Sequence, residues 1–271
     1  MRYFLLTTCL LMLFGCQNTP GDGQPSDVTI EVVTLKKQFL PIIKGNWIPT
    51  DYIAELKRTR SPYKAYENLL GIASLVIDDN AAAADSLVAH VNFNNHEDGT
   101  LPIYFKPGKA SNTLTTGYKY FDDPSHTYEL GYTLIATDTL LVINHYDKNG
   151  KLISFKNFSR ISATTKPQNT GWGIEHVVNK TLIAGSYIIE GTKPAVNVTF
   201  TVDGKVKGFD GLESYVVGTD FASNDPDELP PADYIYFKNG GISESTSYTF
   251  KITGNTLLLS GNNEHYLLVK Q

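Results

Sequence analysis

The sequence predicts an all-β protein of two small antiparallel β-barrels in tandem, with a short helical insert after the first strand of the first barrel. Three observations carry that expectation. Apolar and polar residues alternate with a period of two: Leu87, Ala89, Val91 and Phe93 against Val88, His90 and Asn92; Val196, Val198, Phe200 and Val202 against Asn197, Thr199 and Thr201. Turn signals punctuate these runs at Asp98-Gly99, Asn149-Gly150, Asp203-Gly204, Asn239-Gly240-Gly241 and Gly254-Asn255. The chain also holds 16 tyrosines and 13 phenylalanines, residues that pack well on a pleated surface.

The elements follow in order. Residues 1–15 have the parts of an export signal: the charge of Arg2, an apolar run from Phe4 to Phe14, and a small residue, Gly15, before Cys16. The run is shorter than the roughly 20 residues a helix needs to span a bilayer. Leu13-Phe14-Gly15-Cys16 resembles the lipobox of bacterial lipoproteins. That resemblance implies cleavage before Cys16 and lipid on its thiol and amine; Gln17, in place of aspartate after the cysteine, resembles enteric lipoproteins that pass to the outer membrane, on the periplasmic face or at the cell surface. Each buried methylene of such a lipid adds about 0.8 kcal/mol, so several acyl chains make a firm anchor. Cys9 leaves with the signal, so the mature chain is expected to have no disulfide and no cysteine metal site.

Residues 16–27 have no large apolar side chain and read as a lipidated tether. Eleven extended residues reach roughly 38 Å. The first barrel is expected over 28–162. Its strands fall near 44–48, 72–78, 86–93, 101–106, 113–120, 128–136, 139–146 and 151–158. The helical insert, 51–70, comes in two pieces: Tyr52, Ile53 and Leu56 have helical spacing, and Ser61-Pro62 supplies a cap and a first-turn proline. Residues 163–180 read as a linker, because Gly, Pro and Thr crowd 163–173. A second barrel, 181–271, holds strands near 182–189, 195–202, 205–209, 213–219, 232–238, 246–252, 255–260 and 264–270.

Gly45-Asn46-Trp47 resembles the Gly-x-Trp signature that opens lipocalin-like barrels, in which the tryptophan closes one end. Gly45 and Trp47 are therefore expected to be structural. In the second half, Phe200-Thr-Val-Asp203-Gly204-Lys-Val206-Lys-Gly208-Phe209, with Tyr215 and Gly218, resembles a strand–turn–strand stretch of the META-domain family. That family has Cys-Asn where this chain has Leu212-Glu213. The two halves also resemble each other. Lys44-Gly45-Asn-Trp47 parallels Ala184-Gly185-Ser-Tyr187, and residues 132–141 parallel 248–258.

Chemistry-bearing residues are sparse. Loss of Arg2 leaves 22 of the 23 basic residues against 28 acidic ones, a balance with no footprint for nucleic acid. No His-x-His, His-Glu-x-x-His, nucleophile elbow or phosphate loop occurs, and no cofactor is implied. His90 and His96 read as surface residues. Between Lys207 and Lys238 there are seven carboxylates and no Lys or Arg. Within that stretch Asp225, Asp227 and Glu228 are the weak candidates for a calcium site, outweighed by a solvated loop. The expectation is a non-enzymatic lipoprotein with a binding or envelope-structural role. Its partners would be the membrane, through the lipid anchor, and a small apolar ligand in the first barrel or an envelope protein. The alternatives are a carbohydrate-active or other hydrolase, and an inhibitor or assembly partner acting through barrel loops.

Overall fold

The computed structural model of the protein describes residues 27–119, 123–136, 138–162, 169–209, 211–221, 232–239, 245–261 and 263–271. Sixteen strands close into two eight-stranded antiparallel barrels, each with its strands in sequence order around the ring. The first comprises β1 (Gly45–Pro49), β2 (Ile72–Ile77), β3 (Ser86–Phe93), β4 (Glu97–Pro107), β5 (Thr113–Thr116), β6 (Thr127–Ile135), β7 (Asp138–Tyr146) and β8 (Leu152–Ser162). The second comprises β9 (Gly185–Ile189), β10 (Val196–Phe200), β11 (Lys205–Phe209), β12 (Leu212–Val217), β13 (Tyr234–Lys238), β14 (Ser245–Thr253), β15 (Thr256–Gly261) and β16 (Glu264–Lys270). Every strand the alternation predicts is present. Closure leaves no unpaired edge in either sheet.

Each barrel is entered through a helix and shut at that end by an aromatic ring. Helix α1 (Asp27–Ile43) precedes β1 and covers the end of the first barrel, where Phe39 and Ile43 are buried among core residues of β2 to β8. Trp47 is fully buried, and its Nε1–H donates to the Ile43 carbonyl at 2.7 Å. Arg160, its cross-strand partner on β8, lies over the indole with the guanidinium carbon 4.6 Å from the ring centre. The second barrel repeats the device. Tyr187 donates its hydroxyl to the Ile183 carbonyl at 2.7 Å, and its partner Lys270 lies 5.6 Å above the ring. Gly45 and Gly185 have φ of +136° and +151°, and a side chain at either would run into the strand carrying that cation. A glycine, an end ring and a cation over that ring thus occur in both barrels, at equivalent places.

The paired stretches 132–141 and 248–258 also occupy equivalent places, at the sixth and seventh strands of their barrels. Among the described residues no helix is long and apolar enough to cross a membrane.

Two segments differ from expectation. The sequence assigns no strand or helix to residues 28–43, yet Asp27–Ile43 form α1. Val32, Leu35, Phe39 and Ile43 fall on one helical face, and packing against the barrel end outweighs the poor helix propensity of the β-branched residues. The expected linker is helical from Trp172 on: helix α4 (Trp172–Val178) runs into a π-turn over Asn179–Ile183. Ile174, Val177, Val178 and Leu182 are buried there, so this part of 163–180 belongs to the core.

The insert is present where expected. It forms α2 (Thr50–Thr59), α3 (Pro62–Ala65) and a 3-10 turn over Tyr66–Leu69, and Ser61 caps α3 by accepting from the Lys64 N–H. It packs against the second barrel. Tyr52, Leu56, Ala65 and Leu69 share one core cluster with α4 and the second barrel. Asp233 accepts from the Ser61 hydroxyl and the Tyr63 N–H, each at 2.9 Å, and Arg60 donates to the Gly254 carbonyl. An amphipathic helix needs an apolar partner, and the end of the second barrel supplies one.

Candidate functional site

The site follows from a mismatch in strand length. β1 has five residues and ends at Pro49, opposite Phe158. β8 has eleven, so its first half, residues 152–157, runs on past β1. The chain has by then left for α2 and returns only at β2. A cleft of about 340 Å³ opens at this end of the first barrel, opposite the end closed by Trp47. Leu70, Gly71 and Ile72 form one wall, residues 154–156 and Phe158 the other, and Tyr118, Tyr128, Ile143 and His145 stand behind.

Register explains the lining. On the inward face, Leu141 sits beside Tyr132 and Phe158, then Ile143 beside Leu130 and Lys156, then His145 beside Tyr128 and Ser154. The first two rows are packed shut, apart from Lys156; the last forms the rim. Rings continue around that rim. Phe93 stacks on Tyr118 at 5.5 Å, Tyr118 meets Tyr128 edge-on at 4.7 Å, and Tyr128 stacks on His145 at 4.4 Å. A concave, mainly apolar and aromatic surface with few polar groups is the usual character of a small-molecule site.

Three polar side chains enter the cleft. Lys156 donates from Nζ to the carbonyls of Leu70 at 2.8 Å and Ile72 at 3.0 Å, bridging the gap that β1 leaves. Burial pushes its pKa down to about 8, a loss only partly offset by the charge of Asp51. Ser154 and His145 end a hydrogen-bonded series. Ser154 Oγ lies 3.3 Å from His145 Nδ1, His145 Nε2 lies 2.8 Å from His126 Nδ1, and His126 Nε2 lies 3.3 Å from Asp123.

Burial, and secondarily the neighbouring His126, lowers the pKa of His145. With both imidazoles neutral, one proton arrangement satisfies the series: Ser154 donates to His145, His145 to His126, and His126 to Asp123. Hydrogen bonds from Ser125 hold the Asp123 carboxyl below its ordinary range. The series therefore presents a neutral imidazole and an oriented hydroxyl to the cleft, and it can pass a proton along its length.

The described interior of the second barrel is filled differently. A chain of rings in contact, Tyr187–Phe200–Phe237–Tyr248–Tyr266, runs through its interior.

Comparison with protein-family models, with curated proteins and with solved structures finds no match.

Of the residues singled out from the sequence, Gly45 and Trp47 lie at the closed end and not in the cleft. Cys16 falls outside the described residues, as do Asp225, Asp227 and Glu228. Two other carboxylates of the acidic stretch join the halves. Asp233 caps α3, and Asp220 pairs with His96 at 2.8 Å, an interaction that raises the histidine pKa. His90 lies on the outer face of β3, partly exposed. Among the described residues, no three His, Cys, Asp or Glu side chains gather to hold a metal ion.

Sequence reasoning missed His145, His126, Ser154 and Lys156. The signal for His145 was present, since Leu141, Ile143 and His145 alternate on one face of β7. For Lys156 the signal pointed the wrong way. Ile153 and Phe155 are the apolar alternation of β8, yet Phe155 is 62% exposed, and the polar residues face inward.

Proposed function

We propose that this chain is a lipid-anchored, non-enzymatic binding protein of the bacterial outer membrane, and that its first barrel takes a small, largely apolar ligand at its mouth. The cleft of about 340 Å³ carries this reading: it lies within the size range of ligand sites and most of its lining is apolar or aromatic. The anchor rests on the sequence around Cys16, and the apolar lining fits a molecule drawn from a lipid-rich setting.

Native mass spectrometry of protein extracted gently from membranes tests the ligand. The expected result is an added mass of a few hundred daltons that organic solvent removes. A bare chain that also fails to bind a neutral apolar dye contradicts the reading. For the anchor, Cys16→Ser should leave the precursor uncleaved and without acyl label; normal processing of that variant would remove the lipoprotein assignment.

A further inference from the structure

We infer that the ligand of the first-barrel cleft carries an anionic head group, of the carboxylate or sulfonate kind, which pairs with the ammonium of Lys156. This rests on the cleft being a ligand site and adds the chemistry of what enters it.

Lys156 lies on the inward face of β8 between two well-buried neighbours: Ile143, its cross-strand partner, and Phe158, two residues along. Its ammonium makes two hydrogen bonds, both to backbone carbonyls. Carbonyls satisfy N–H groups but leave the unit charge in place. Among the described residues no carboxylate comes within ion-pair distance of it, and Asp51 acts only from farther away. Partly buried cations are ordinarily paired. Here the ammonium borders a cleft whose other walls are Leu70, Ile72, Tyr118, Tyr128 and Phe155, and no Asp or Glu lines it.

The surroundings therefore favour an anion at one point and an apolar body everywhere else. With a formal charge of −5, the chain has no general attraction for anions, so selectivity must come from this residue. The second barrel supplies the contrast. Counting back along β16 from Lys270, as one counts along β8 from Arg160, the place of Lys156 is taken by Tyr266. That ring packs on Phe209 at 4.9 Å.

The test compares two dyes that share an N-phenyl-naphthylamine body and differ in a sulfonate: 1-anilinonaphthalene-8-sulfonate and neutral N-phenyl-1-naphthylamine. Each is titrated by fluorescence into the whole protein. Wild type should bind the sulfonate about tenfold more tightly, and Lys156→Met should erase that preference while leaving the neutral dye within about twofold. Lys156→Arg should keep the preference. If the neutral dye binds but Lys156→Met does not change the sulfonate affinity, the head-group inference is overturned and the cleft stands. If neither dye binds wild type, the ligand-site reading fails and takes the inference with it. Should Lys156→Met lose both dyes, Lys156→Arg decides: a retained preference upholds the inference, and equal affinities overturn it.

Discussion

The two barrels share a strand order, an end ring and a cation over that ring, and they differ in what their inward faces carry toward the other end. In the first, β8 turns Phe158, Lys156 and Ser154 inward; in the second, β16 turns Leu268, Tyr266 and Glu264 to the same places. Tyr266 meets Tyr248 and Phe209 and completes a packed interior, and Glu264 accepts from both the Tyr248 and Tyr266 hydroxyls. Lys156 and Ser154 leave a mouth. Topology alone therefore does not decide whether a barrel end opens into a cleft. One or two inward positions decide whether the end is filled or open.

The caps differ in the same sense. α1 closes the Trp47 end of the first barrel, whereas α4 and the insert α2–α3 together cover the Tyr187 end of the second. The insert is covalently part of the first barrel and energetically part of the second, so the two halves should melt together.

Several changes can break or sharpen this comparison. The largest effect belongs to the end rings. Trp47→Ala removes a fully buried indole and should cost about 3–5 kcal/mol, a large part of the roughly 5–15 kcal/mol of a whole domain. Tyr187→Ala should cost about as much, read by denaturant unfolding. A negligible cost at Tyr187 would mean that the two ends are not equivalent. Trp172, half-buried and beside His176 on α4, should cost clearly less than Trp47.

Lys156 comes next, and the expected sign is stabilisation. Its proton is held less tightly in the folded chain than in the unfolded one, so the unfolded chain carries more protons between about pH 8 and 10.5. Stability should rise with pH through that window. Below it the buried charge costs about 3 kcal/mol, from which the two hydrogen bonds to carbonyls must be subtracted. Lys156→Met should therefore raise the melting temperature at pH 7 and gain little above pH 10.5. Destabilisation at pH 7 would mean that the bridge to Leu70 and Ile72 outweighs the desolvation.

Tyr52 gives the smallest effect. It is fully buried where the insert meets the second barrel, its pKa is driven up by burial, and its hydroxyl has no hydrogen-bond partner among the described residues. Tyr52→Phe should stabilise by about 1 kcal/mol. A loss of similar size would reveal a partner for that hydroxyl.

The strands were legible because a closed sheet with a dry interior enforces a period of two, and because Gly and Asn mark its turns. Ser61-Pro62 announced α3 by local chemistry alone. The helices α1 and α4 were not legible, since Val, Ile and Thr in the one and Gly in the other argue locally against helix. Only their burial against the barrels explains them. The candidate site was least legible. Alternation assigns polar residues outward, and that rule fails where β8 outruns β1 and its outer face loses the neighbour that would cover Phe155. His126 reaches the site from outside the strand, and its partnership with His145 depends on a contact across 19 residues of sequence.

The claim that one barrel binds and the other is filled is tested most directly by blocking each in turn. Neutral N-phenyl-1-naphthylamine is titrated into wild type, Ser154→Trp and Glu264→Trp, which place an indole at the same position of the eighth strand in either barrel. The account predicts one site per chain, lost in Ser154→Trp and kept in Glu264→Trp. Binding that survives Ser154→Trp, or that disappears with Glu264→Trp, would contradict it.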